Sequence, residues 1–420
     1  MSFLFPLAAK SAWNRRYTLG LMLLAIALSS AMLLGIERVR HEVRDGFTQS
    51  VSGTDLVVGA RTSPVQLMLY AIFRIGGATN NMGWDSALKL SKNPAVAWTI
   101  PLSLGDSHRG FPVLATNLDY FRHFHYGDGQ ALQLAEGRAF ADVFETVIGA
   151  EVAQRLHYRV GDHIVLSHGM GSMHLTDHAD KPFVITGILA RTGTPVDRTV
   201  HIGLDAMEAI HLDWEGGAPM PGLTIKAEQV KKFNLTPKTV TAVLVGLKNR
   251  AAVFGVQRDI GDDTSEPLMA VLPGVALDEL WQVVGVGENA LLVVSGMVVI
   301  VGLAGLVSAI LASLGERRRE LAVLRSVGAR PFDIFLLLAL EGLAVMLAGV
   351  MLGLILLTLA LLVLGPFLSA QFGVTLHPAL PATGELTLLL WTILAGFAAS
   401  LLPGLRAYRL SLADGLTPRL

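Results

Sequence analysis

The chain contains no cysteine. That excludes disulfides, thiolate metal sites and a cysteine nucleophile. Charge is also scarce: Asp, Glu, Lys and Arg make up 16% of the 420 residues, against ~25% in soluble domains. With 52% hydrophobic residues, part of the chain belongs in a membrane. No Gly-x-x-x-x-Gly-Lys-Ser/Thr loop occurs, so ATP is not cradled in that way by this chain. No Ser-His-Asp or paired-carboxylate set can be assigned from spacing, and no catalytic residue is expected. Arg15 and Arg16 precede the first apolar run and no A-x-A site follows it, which predicts an uncleaved span and not a signal peptide.

What the chain does have is long apolar runs, each near or above the ~20 residues that cross a bilayer as a helix. They predict spans over residues 17–36, 288–314, 333–364 and 386–404. Ahead of the first, Phe3, Leu7 and Trp13 alternate with Lys10, Arg15 and Arg16. This pattern fits an interfacial helix over 1–16, or an unstructured start. After Ile36 no Gly or Pro interrupts the chain until Gly46, so the first helix is expected to continue as a stalk. Leu277, Leu280, Trp281 and Val284 repeat at i, i+3, i+4, i+7 and predict a returning stalk. Pro366, Pro378 and Pro381 mark a short outer loop over 365–385, and Pro403 is expected to end the fourth span before a tail over 405–420.

The net charge of −1 hides an asymmetry. Residues 37–287 hold 22 Lys and Arg against 27 Asp and Glu. The other basic residues fall in residues 1–16, the segment 315–332 and the tail. Basic short loops stay in the cytoplasm, which predicts both ends inside and the region 37–287 outside. That region reads as α+β. Strands are expected at 55–59, 163–166, 183–189 and 241–247, with helices at 149–156 and from about Ala251.

The segment 315–332 joins the second and third spans. It carries Glu316, Arg317, Arg319 and Glu320, then Leu324, Arg325, Gly328 and Ala329. Leu321, Leu324 and Val327 give it an apolar face, and Gly328 can close a short helix. This run resembles the cytoplasmic loop of MacB/FtsX-type ABC transporter permeases. The tail resembles that family's ending, with Arg406, Arg409 and the pair Ala413-Asp414. The order helix, Gly161-Asp162 turn, strand, loop, strand is similar to its periplasmic core domain. The resemblance implies four transmembrane helices with a large α+β periplasmic domain between the first two, in a bacterial inner membrane. It implies an inserted subdomain, assigned to about 131–220. It also implies that 315–332 contains a coupling helix that docks on a separate ATPase subunit, which would bind the ATP and magnesium. The alternative for that segment is a positive-inside anchor touching only headgroups.

Three functional readings follow. The first is the permease subunit of a mechanotransmission complex, a homodimer with two ATPases and a periplasmic adaptor, lipoprotein or substrate-binding protein. The second is an FtsX-like regulator of a periplasmic enzyme or binding protein, with nothing translocated. The third is a sensor without an ATPase, which the coupling motif disfavours. No nucleic-acid partner is expected. Gly305 with Ala309, and Gly349 with Gly353, have the small-residue spacing that lets membrane helices approach, in one chain or between copies. Glu341, about two turns into the third span, is either a functional carboxylate or a shallow one facing protein or headgroups. All 12 histidines lie on the side read as outer. His168, His174 and His178 with Asp177 are candidate ligands for zinc or a similar metal, against the alternative of a solvated polar loop.

Overall fold

A computed structural model describes residues 16–78, 80–169, 178–215, 218–220, 225–316, 323, 326, 328–372 and 381–409. They form two compact units. One is Arg44–Val284; the other combines the residues up to Val43 with those from Gly285 onward.

The chain enters through helix α1 (Arg16–Gln49), which no proline breaks. The elements that follow are β1 (Leu56–Ala60), α2 (Pro64–Ala71), α3 (Trp84–Ser91), β2 (Val96–His108), β3 (Phe111–Thr116), α4 (Asp119–His123), β4 (Leu134–Gly137) and β5 (Glu145–Ile148). Then come α5 (Ala150–Leu156), β6 (His163–Ile164), β7 (Ser167–His168), β8 (Phe183–Leu189), β9 (Val200–Gly203), α6 (Leu204–Ile210), β10 (Ala242–Leu247), α7 (Val253–Asp262) and β11 (Leu268–Val271). The strands build one sheet in the order β11-β1-β10-β2-β3-β9-β5-β8-β4, with β7 beside β2 and β6 beside β8. Within it β9 runs parallel to β3 and β8 parallel to β5.

Strand β1 is buried at every residue, so it reads as a continuous apolar run and not as an alternation. Leu67 and Tyr70 of α2 and Tyr120 of α4 pack against one part of the sheet. Val152 of α5 and Ala206 and Ile210 of α6 pack against another. Leu90 of α3 and Val256 and Ile260 of α7 form a third cluster. Residues 131–220, expected as an insertion, supply β4 to β9 of this same sheet and much of the second cluster.

The chain leaves through α8 (Pro273–Glu316), α9 (Pro331–Phe372) and α10 (Thr383–Arg409). At the start of α8, Ala276 and Leu277 are buried in the first core cluster. Helices α1, α8, α9 and α10 each contain a stretch long and apolar enough to cross a membrane. The architecture is therefore four long apolar helices with a mixed α+β domain between the first and the rest. Two expected helix ends are corrected. Neither Pro366 nor Pro403 stops its helix: α9 continues to Phe372 and α10 to Arg409. A proline inside a helix forfeits one backbone bond, and in long apolar helices neighbouring turns carry the helix past that loss.

Met22, Ile26 and Leu34 of α1 pack with Leu306 and Ile310 of α8 and with Met346, Val350 and Leu357 of α9. The small residues of α9 face α1. A methyl added at Gly349 would lie 2.6 Å from Ile26, and one at Gly353 2.7 Å from the carbonyl of Ala27. Gly305 in α8 has open space around it. Ala309 lies in α8 as well. Glu341 is half-buried in α9.

Candidate metal centre

Strand β2 is long and irregular near its end. Its register against β3 shifts between Leu104 and Ser107. Such a bulge re-aims the side chains within it, and here Asp106 is turned inward to full burial. On the other edge of β2 the two-residue strand β7 pairs antiparallel, with His168 directly opposite Asp106. The chain returns at His178, whose backbone N–H donates to the carbonyl of Leu166. Helix α6 ends at Ile210, and its capping residue His211 has Nδ1 2.8 Å from the carbonyl of Met207 one turn back. Four segments of chain thus bring Asp106, His168, His178 and His211 together.

The ligand-type atoms of these four residues all lie within 4.8 Å of one another. His168 Nδ1 is 3.1 Å from Asp106 Oδ1 and 3.1 Å from His211 Nε2. His211 Nε2 is 3.6 Å from Asp106 Oδ1, and His178 Nε2 is 4.0 Å from Asp106 Oδ2. Asp106 and His178 are fully buried; the side chains of His168 and His211 are 25% and 26% exposed. The indole of Trp214 lies against the cluster, 4.4 Å from the His178 ring and 5.1 Å from that of His168, centroid to centroid. Nearby, Lys181 is fully buried but paired with Asp213 at 2.7 Å and Asp180 at 3.1 Å. Its charge is therefore neutralised locally.

The electrostatics favour an anionic aspartate among imidazoles. Burial pushes the Asp106 carboxyl up, but hydrogen bonds from His168 and His211 outweigh it and hold the group down at about 2. Burial lowers His178 to about 4, against a smaller opposing pull from Asp106. His211 is pushed down by burial but raised on balance by its bond to Asp106. Satisfaction is incomplete. Asp106 Oδ2 and both ring nitrogens of His178 have no hydrogen-bond partner among the described residues. A buried polar atom left unpaired costs about 1–3 kcal/mol. Other histidines differ: His108 bonds the Val165 carbonyl at 2.6 Å and the Tyr158 hydroxyl at 3.0 Å.

Of the ligands suggested by sequence, His168 and His178 are brought together here. His174 and Asp177 lie outside the described residues. Asp106 and His211 were missed: each is far away in the chain, and only the β2–β7 register and the end of α6 bring them in. Within the segment joining α8 and α9, Glu316 ends α8, Gly328 adopts a positive φ of 105° and Ala329 follows it. Asp333 then accepts from the Arg330 N–H at 2.8 Å, at the start of α9. Arg317, Arg319, Glu320, Leu324 and Arg325 lie outside the described residues, as do most of the interfacial segment and the tail.

Four helices long and apolar enough to span, with an α+β domain between the first and the rest in sequence, are the layout of a multi-pass membrane protein with an extracytoplasmic domain. Two family profiles agree. A MacB-like periplasmic core domain matches residues 18–262, more than half of the chain, and an FtsX-like permease C-terminal domain matches residues 292–412. The chain belongs to the MacB/FtsX-like family of ABC transporter permeases. Among solved structures it is similar to the periplasmic region of MacB from Actinobacillus actinomycetemcomitans. The two are 10% identical, the match covers 55% of this chain and 94% of that one, and the TM-score is 0.34. The extracellular domain of the noncanonic ABC-type transporter YknZ from Gram-positive bacteria also matches. It is 10% identical, the match covers 52% of this chain and 98% of that one, and the TM-score is 0.30. Among curated proteins nothing matches. The family implies an ABC ATPase partner, and no ATPase domain is found in the chain.

Proposed function

We propose that this chain is the non-catalytic permease subunit of a mechanotransmission complex in a bacterial inner membrane, with both termini in the cytoplasm. The observation that carries the reading is helix length. The 34 residues of α1 and 44 of α8 correspond to about 51 and 66 Å at 1.5 Å per residue, well beyond the ~30 Å hydrocarbon core. Helices of that length can carry motion from a cytoplasmic ATPase to an outer domain. The segment 315–332 would dock on the ATPase, and two copies of the chain with two ATPases would form the working unit. The outer domains would then act on a periplasmic substrate, adaptor, lipoprotein or binding protein, for export or extraction. A link to metal handling is supported by the Asp106 cluster.

Three hydroxyls of the spans fit transmission better than a lined path. Ser29, Ser295 and Thr392 turn their hydroxyls onto carbonyls of Ala25, Leu291 and Leu388 in their own helices. The same observation suits a second reading, an FtsX-like regulator that switches a periplasmic enzyme and translocates nothing.

The test is the double variant Arg319→Glu, Arg325→Glu in the assembled complex. The expected result is loss of the ATPase from a pull-down, or ATP hydrolysis uncoupled from function. Normal capture with normal activity would defeat the coupling role.

A further inference from the structure

We propose that Asp106, His168, His178 and His211 form a binding site for one divalent ion of the zinc class in the extracytoplasmic domain. The geometry comes first. Ligands around a tetrahedral zinc at 2.0–2.1 Å stand about 3.3 Å from one another. One ligand atom from each residue lies within 4.8 Å of all the others. Asp106 Oδ1, His168 Nδ1 and His211 Nε2 stand 3.1, 3.1 and 3.6 Å apart, close to the tetrahedral spacing, and His178 Nε2 stands farther out, 4.0 Å from Asp106 Oδ2. The second observation is the unpaired atoms. Asp106 Oδ2 and His178 Nε2 are fully buried, face the cluster and have no hydrogen-bond partner among the described residues. An ion between them would satisfy both. The third is the orientation of His211. With Nδ1 held on the Met207 carbonyl, Nε2 is the nitrogen that faces the cluster; an entering ion would take the place of the proton it shares with Asp106, and the Nδ1 bond would fix the ring as metal-binding histidines are held.

The donor set defines the ion. Three imidazoles and one carboxylate suit zinc, and also cobalt, nickel or copper(II), while magnesium and calcium prefer oxygen ligands throughout. Four protein ligands make a closed site suited to binding and not to activating water. The partly exposed His168 and His211 give the ion a way in. Neutralised Lys181 places no free cation against it. Once bound, the ion would tie β2, β7, the segment at His178 and the end of α6 together. The proposal does not depend on the transport reading, because binding by this chain needs no ATPase.

The test uses the full chain purified in detergent and stripped with a chelator. Cobalt(II) is titrated in and followed by its visible absorption, then displaced with zinc, and bound metal is counted by mass spectrometry. One ion per chain with a tetrahedral cobalt spectrum is expected. His168→Gln and His211→Gln should each weaken binding by at least the about 10–100-fold that loss of an outer-shell partner costs. His163→Ala, an exposed histidine outside the cluster, should bind as the wild type does. Because a His178 variant could fail to fold, the wild type supplies a second measurement: zinc should raise its melting temperature. No stoichiometric binding by the wild type, an octahedral cobalt spectrum, or equal affinity in the His168 and His211 variants would overturn the site and leave a hydrogen-bonded histidine cluster.

Discussion

Arg38 in α1 and Glu385 in the first turn of α10 are 347 residues apart in sequence and form a two-pronged ion pair. Nε and Nη2 of the arginine donate to the two carboxylate oxygens at 2.9 and 2.8 Å. The side chains are 8% and 7% exposed. Planar, doubly bonded pairs of this kind fix orientation as well as distance. Here the pair ties the body of α1 to the start of α10, and Glu385 Oε2 also accepts from the Ala382 N–H at 3.3 Å.

Breaking such a pair takes the two-pronged partner away from a buried charge. Arg38→Ala or Glu385→Ala should each destabilise the membrane unit by about 3–5 kcal/mol. The joint replacement Arg38→Met, Glu385→Leu should cost much less than either single change. Thermal melts of the purified chain in detergent check this. Equal, small losses in all three variants would show that the pair contributes little.

The glycines of α9 and α8 make a contrasting pair. Gly349→Ala pushes a methyl against Ile26 and should cost about 1–3 kcal/mol through overpacking. Gly305→Ala meets open space and should change chain stability by less than about 0.5 kcal/mol. The same melts, run side by side, measure the difference.

The fully buried His201 predicts an acid-side stability slope. Burial, with the nearby Arg74 charge adding to it, lowers its pKa to about 3, from an ordinary value of 6.5. Below pH 6.5 the unfolded chain binds a proton that the folded chain refuses. Its contribution is therefore complete above that pH and is lost progressively as pH falls toward 3. His201→Asn keeps a donor toward the Val147 carbonyl, which His201 Nδ1 approaches at 3.2 Å, but cannot titrate. Its stability should fall less steeply with acid than that of the wild type, in denaturant melts across pH 4–7.

Orientation has its own test. A reporter active only outside the cytoplasm should work when fused near Gly193 and fail when fused after Leu420. The reverse pattern would overturn the assignment of sides.

Much of the framework was legible because it depends on local pattern. Apolar runs near or above ~20 residues announce spans whatever surrounds them. The strand expected at 183–189 is β8, and that at 241–247 is β10 plus one residue at its start. Prolines misled, since Pro366 and Pro403 weaken a helix locally but do not end one stabilised by its apolar neighbours. The Asp106–histidine cluster was half legible. His168 and His178 stand out by composition. Asp106 reaches them through a bulge and a strand register set by sheet pairing, and His211 through the place where α6 stops, which sequence periodicity does not encode.

In the proposed mechanism, ATP-driven motion reaches the outer domain through the long helices. The chain has no native cysteine, so a single introduced one can carry a spin label without background. Glu279→Cys places it at an exposed position on α8. Pulsed dipolar distances between the two labels of a dimer, measured with the partner ATPase in ATP-bound and ADP-bound states, report the motion directly. The expected result is a measurable intermolecular distance whose distribution shifts between the two states. Identical distributions in both states, or no dipolar signal at all, would contradict it.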